Sequence, residues 1–211
     1  MRLHVVYGTG ASPDGRSLAT FCTALDAARG AGLVGDAVFL TDGPLPLDRV
    51  RAVDARGVVR PAVPSRGRRA AAAVLDVPGR GGWDEEDVVL LADDGWDWRR
   101  EALVAVAVAA QHHPGAYLLP GGGQRSPGQE RVRWVERPGA PGAFAARVRE
   151  LRRDRRSLLP LRSGERARAR GVASALRPPR RRRRVLTAVP ALAVPAGSAV
   201  QDRAGFPVAE G

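Results

Sequence analysis

Two hydrophobic periods alternate along the first 123 residues. The stretch LHVVYG (3–8) is an apolar, β-branched run closed by glycine, which predicts a strand. In SLATFCTALDAARGAG (17–32), Leu18, Phe21, Cys22 and Leu25 recur at helical spacing and glycines follow, which predicts a helix. DAVFLTDG (36–43) predicts a second strand ending in an acidic turn, and LDRVRAV (47–53) a short helix. GVVRPAV (57–63) predicts a third strand that Pro61 confines to an edge or ends early. RGRRAAAAVLDV (66–77) is helical by propensity. DVVLLADD (87–94) has the character of a buried central strand. RREALVAVAVAAQHH (99–113) predicts a helix that Pro114-Gly115 ends, and AYLLPGGG (116–123) a further short strand.

This alternation predicts an α/β fold, a mostly parallel sheet flanked by helices. In such sheets ligands bind beyond the carboxyl ends of the strands. The segments YGTGAS, TDGP and ADDGW would converge there.

The second half is less regular. GAFAARVRELRRD (142–154) predicts an amphipathic helix with Phe144, Val148 and Leu151 on one stripe and arginines opposite. RSGERARARGVASAL (162–176) also predicts a helix. RPPRRRRRV is a charge run after a double proline, which predicts a loop over 177–184. VLTAVPALAVPAG then returns to strand character. The division is an α/β half, 1–123, and a basic half, 124–211, of one domain.

Charge sharpens that division. All 34 basic residues are arginine. This removes Schiff-base lysine chemistry and a phosphate-loop lysine. Residues 1–110 carry 13 Arg against 15 Asp and Glu, a net −2; residues 111–211 carry 21 Arg against 7, a net +14. The second half is therefore the one suited to polyanions or an anionic membrane surface. Cys22 is the only cysteine, so no intrachain disulfide forms, and a reducing compartment is the simplest expectation. Its TFCTAL context reads as a small buried residue. The amino terminus is too short and polar for a signal peptide. The longest apolar run, 102–110, falls far short of the ~20 residues that span a bilayer. The expectation is a soluble, cytoplasmic protein with no transmembrane segment.

Candidate chemistry gathers at the strand ends. YGTGASPDG (7–15) has Gly8 and Gly10, but Pro13 stands at the third glycine position of a dinucleotide fingerprint. Thr9 and Gly10 open a loop of small residues that can seat a nucleotide base or ribose, or simply turn the chain. Asp42, at the end of the second strand, can accept from a ribose hydroxyl or a base N–H, or belong to an Asp-Gly-Pro turn. In WDEEDVVLLADDGWDW (83–98), Asp93 and Asp94 can hold a hard divalent cation, Mg²⁺ or Mn²⁺, against a diphosphate. The alternative is a solvated turn, with Asp97 capping the next helix. PGGGQRS (120–126) can form an anion-binding nest assisted by Arg125, or a plain loop. His112-His113 at a helix end lack partners for a metal set, and His4 begins a strand as a structural residue. The arginines 180–184 can contact nucleic-acid phosphates, yet residues 145–205 have no aromatic side chain for base stacking.

The succession of a strand, a small-residue loop, SL opening a helix, FLTDG, LLADDGWDW and the helix EALVAVAVAA resembles family-2-type glycosyltransferases of the GT-A fold. DRAGFP (202–207) is similar to a turn beyond the acceptor-side segment of such enzymes. The resemblance covers 1–123 fairly and little beyond. It implies a GT-A, Rossmann-like fold and a nucleotide-sugar donor whose glycosyl group passes to an acceptor hydroxyl. It also implies a divalent metal at Asp93 and Asp94, with Asp42 and Asp93 beside the nucleotide. Second-half arginines would stabilise the leaving phosphate or seat an anionic acceptor. Counted back from EAL (101–103), the family's three acids fall on Asp93, Asp94 and Gly95; in the other register, on Ala92, Asp93 and Asp94. One carboxylate is missing either way, so a weakly active or inactive member is among the expectations. No motif marks a general base; Glu130, Glu136 and Asp202 are candidates by default. The reading from another class is a non-catalytic protein that binds nucleic acid through its arginine-rich half.

Overall fold

A computed structural model describes residues 1–9, 15–41, 58–61, 82–93, 95–121, 131–136, 143–158 and 184–196. In chain order the elements are β1 (Leu3–Thr9), α1 (Arg16–Gly30), β2 (Val34–Thr41), β3 (Val58–Pro61), β4 (Val88–Asp93) and β5 (Trp96–Trp98). There follow α2 (Ala102–His112), β6 (Tyr117–Leu119), β7 (Arg133–Val135), β8 (Phe144–Arg147), α3 (Val148–Leu158), β9 (Val185–Val189) and β10 (Ala193–Pro195). The segments 47–53, 66–77, 162–176 and all but the last residue of 177–184 lie outside the described residues.

Among the described residues eight strands form one sheet, in the order β3-β2-β1-β4-β8-β6-β9-β7. Strands β3, β2, β1, β4, β6 and β9 run one way; β8 and β7 run the other. The sheet is mixed but mostly parallel, as the alternation of elements predicts.

The two-residue period of the strands sorts side chains onto two faces. Leu3, Val5 and Tyr7 of β1 join Val88, Leu90 and Ala92 of β4 in a core closed by α1 and α2. Val6, Val89 and Leu91 point the other way and pack with Tyr117, Phe144, Val148 and Leu151, where α3 covers the sheet. Because both faces are covered, the central strands are apolar throughout, as buried parallel strands are. Helix α1 turns Leu18, Phe21, Cys22 and Leu25 inward, and Phe21 meets Tyr7 at 4.3 Å between ring centroids. Burying side chains of this size stabilises the fold by roughly 1.5–3 kcal/mol each.

Residues 144–154 correct an expectation. Instead of one helix over 142–154, Phe144–Arg147 form β8, and the helix starts at Val148. Ala-rich FAAR has helical propensity, but here it bonds β4 on one side and β6 on the other. Two ladders and burial on both faces outweigh a propensity difference of under about 1 kcal/mol per residue. The chain leaves β8 where Val148 N–H donates to Asp87 O at 2.8 Å. The basic half is therefore no appendage: β7, β8 and β9 complete the same sheet. Among the described residues no helix is long and apolar enough to cross a membrane.

Candidate functional site

The register of the parallel strands fixes what meets at their carboxyl ends. Gly8 of β1 pairs with Leu40 of β2 on one side and with Asp93 of β4 on the other, and Thr9 pairs with Thr41. Thr9, Thr41 and Asp93 thus stand on three adjacent strands, spaced about 4.8 Å apart. Gly10, Asp42 and Asp94 are the next residues of those chains; they lie outside the described residues, as does Arg125. The backbone therefore sets the strand ends Thr9, Thr41 and Asp93 at one edge of the sheet.

Asp93 is partly buried, and its Oδ1 accepts the Gly95 N–H at 3.0 Å. A Cβ on Gly95 would lie 3.1 Å from that oxygen. A side chain at position 95 would crowd the Asp93 carboxylate, which gives a physical reason for glycine where one register of the resemblance wants an acid. Among the described residues no group of three or more His, Cys, Asp or Glu could hold a metal ion.

After Gly95 the chain forms a strand the periodicity does not announce. β5 pairs antiparallel with β10, Trp96 opposite Pro195 and Trp98 opposite Ala193. Trp96 lies flat enough against the chain at Gly121 that a Cβ there would sit 2.7 Å from its Cζ3. Pro120–Gly121, the start of PGGGQRS, thus lies beside the residues that follow Asp94.

Asp97, in the middle of β5, is fully buried. It does not cap α2, whose N-cap is Glu101 with no side-chain cap bond. It faces α1: Ser17 Oγ donates to its Oδ1 at 2.9 Å, and Arg16 Nε lies 3.5 Å from its Oδ2. Thr20 Oγ1 donates to Ser17 O at 3.1 Å and accepts the Trp98 N–H at 3.0 Å. Ser17 and Thr20 are buried polar positions on an otherwise apolar helix face. That mismatch in SLATFC is the one signal in the sequence for a polar partner across the core.

Other candidates stand away from this edge. Glu136 and Arg184 pair at 3.3 Å beside the start of β9, which is the amino-terminal end of the parallel strands and so the edge opposite Asp93. Glu130 and Asp202 lie outside the described residues. His112 ends α2 in an exposed position, and Cys22 is buried, as expected. His4 is structural: it stacks on Trp83 at 4.3 Å and bonds Asp87 at the amino-terminal edge.

No protein-family model matches the chain, and no curated protein matches it in sequence at a significant level. Solved structures are similar in fold. A nucleotidyl transferase from Methanothermobacter superposes with a TM-score of 0.54 at 16% identity, over 88% of this chain and 86% of that one. A CMP:2-keto-3-deoxy-manno-octonic acid synthetase complexed with CTP gives 0.53 at 14% identity, over 89% of each chain. A nucleotide-diphospho-sugar transferase from Desulfovibrio desulfuricans G20, assigned that role provisionally, gives 0.50 at 15%, over 89% and 80%. At these identities the likeness establishes the fold alone, an α/β fold shared with these three structures.

Proposed function

We propose that the chain is a transferase that uses a nucleotide-activated sugar, bound beyond the carboxyl ends of β1, β2 and β4. The observation that supports it is the register that sets Asp93 against Gly8 and Thr9 against Thr41. It sets Thr9, Thr41 and Asp93 side by side at the edge where open α/β sheets bind ligands. In this reading Thr9 and Gly10 approach the nucleotide, and Asp42 accepts from the ribose or base. Asp93 and Asp94 would hold Mg²⁺ or Mn²⁺, which would neutralise the diphosphate. Arg125 would meet a phosphate. The finer form of the reading is a glycosyltransferase related to family 2. There the acceptor hydroxyl oxygen bonds to the anomeric carbon as the bond to the diphosphate oxygen breaks; the diphosphate leaves with the electron pair, and the hydroxyl proton passes to solvent or to the leaving diphosphate.

Nucleic-acid binding by the basic half is the weaker reading. Several of its described arginines are already matched by acids: Arg147 and Arg149 pair with Glu86, Arg152 with Glu85 and Arg184 with Glu136. Such pairing leaves less charge for counterion release from a polyanion.

The deciding experiment is thermal denaturation with a panel of nucleoside di- and triphosphates, with and without Mn²⁺. A ligand at a hundred times its Kd adds about 2.7 kcal/mol by mass action. A metal-dependent rise in Tm that Asp94→Ala abolishes is the expected result. No shift with any nucleotide would sink the proposal.

A further inference from the structure

Asp97 is not one of the proposed ligand contacts, yet it joins the elements on either side of them. It lies four residues after Asp93, on β5, and meets the first two residues of α1, accepting from Ser17 and pairing with Arg16. Its carboxylate is fully shielded, takes the Ser17 hydroxyl at 2.9 Å and has Arg16 Nε 3.5 Å away. Arg16 itself remains about one-third exposed, at 32% of its side chain. Helix α1 has no side-chain cap of its own; Gly15 precedes it at φ 62°, in the left-handed region. What holds the start of the helix is therefore borrowed from β5. Thr20 adds a second link by accepting the Trp98 N–H, and Trp98 closes the knot edge-on against Phe21 at 5.4 Å.

A buried carboxylate is an expensive way to join two elements, because desolvation offsets most of its Coulombic gain. An apolar pair would hold α1 on β5 more cheaply. What the carboxylate adds is direction: a fixed bond vector between one atom of β5 and one atom of α1.

We propose that Asp97 is a positioning residue of the nucleotide site, locking the start of α1 to the strand that follows β4. This rests on the proposed nucleotide site for its functional consequence, but the locking itself does not. The start of α1 and the carboxyl end of β4 then keep one relative position, and ligand groups held near both meet a fixed geometry.

Asp97→Asn keeps the shape and removes the charge; Ser17→Ala removes the donor and stands in if the first variant fails to fold. Two readouts are needed. Limited tryptic digestion reports opening at the Arg16–Ser17 bond, which should be cut about tenfold faster, the population change for losing one charge-assisted hydrogen bond. Titration with a nucleoside diphosphate and Mn²⁺, well below Tm, should show Kd weakened about tenfold or more, as small misplacements of binding groups do. If a variant loses Tm but keeps the parental cleavage rate and Kd, Asp97 is only structural and the proposal is overturned. If the parent binds no nucleotide, the proposed function falls, and the cleavage rate alone then decides the locking.

Discussion

His4 Nε2 stands 3.1 Å from Asp87 Oδ2, and both side chains are almost closed to solvent. Asp36 N–H donates to His4 Nδ1 at 3.0 Å, so the ring's proton sits on Nε2 and points at Asp87. Asp87 also takes the Arg2 N–H at 2.7 Å. The pair fastens the start of β1 to the loop before β4, at the edge opposite the candidate site.

Burial alone would raise the Asp87 pKa, but the Arg2 and Asp84 backbone N–H groups and the His4 ring hold it below its ordinary 3.8. A depressed carboxylate stabilises the fold above its unfolded pKa and loses that contribution as pH falls through the folded value. Asp87→Asn should therefore flatten the loss of stability below about pH 4. Asp87→Ala should cost about 1–3 kcal/mol at pH 7, because it strands the buried His4 Nε2–H and the part-buried Arg2 N–H. Urea denaturation from pH 3 to 7 checks both; equal acid sensitivity of parent and Asp87→Asn would contradict the assignment.

Gly35 sits under the same imidazole. A Cβ at that position would come within 2.6 Å of His4 Cε1. The ring cannot retreat, being fixed by Asp87, Asp36 and its stack on Trp83. Gly35→Ala should destabilise by roughly 1–3 kcal/mol, the usual cost of overpacking. Gly30→Ala, where nothing lies within 4 Å, is the control. Its chemical denaturation curve should match the parent closely.

Gly121→Ala tests the contact between the PGGGQRS turn and β5. Trp96 must move, since the added methyl would lie 2.7 Å from Cζ3. A change in tryptophan fluorescence with a destabilisation of about 1–3 kcal/mol is expected. If the segment at 120–126 serves the proposed site, nucleotide affinity should drop in parallel. Unchanged fluorescence would refute the packing.

Asp93→Ala and Gly95→Asp probe the acidic turn from two sides. Losing Asp93 removes the acceptor of the Gly95 N–H, an exposed bond worth about 1 kcal/mol, and should abolish any Mn²⁺-dependent nucleotide shift. Gly95→Asp adds the third carboxylate of the resemblance but crowds Asp93 Oδ1. It should not strengthen Mn²⁺-dependent binding, as calorimetric titration would show.

Much of the fold was legible along the chain because its signals are local. Period-2 and period-3.6 patterns mark β1, α1, β2, β4 and α2, and buried strands on both faces imply a parallel sheet with helices on each side. Asp93 at a strand end and Cys22 in the core follow from the same patterns. The sequence also determined that charge is divided between the halves and that lysine chemistry is absent. What only the tertiary structure decided depends on partners far away in sequence. FAAR becomes strand β8 because β4 and β6 flank it, against its own helical propensity. WDW becomes β5 because β10 pairs with it, about a hundred residues later in the chain. Asp97, which reads as a helix cap, turns into the core because Ser17, 80 residues away, presents a hydroxyl there. Hydrophobic period is written into each segment, whereas hydrogen-bond partnership is a property of two segments that only folding brings together.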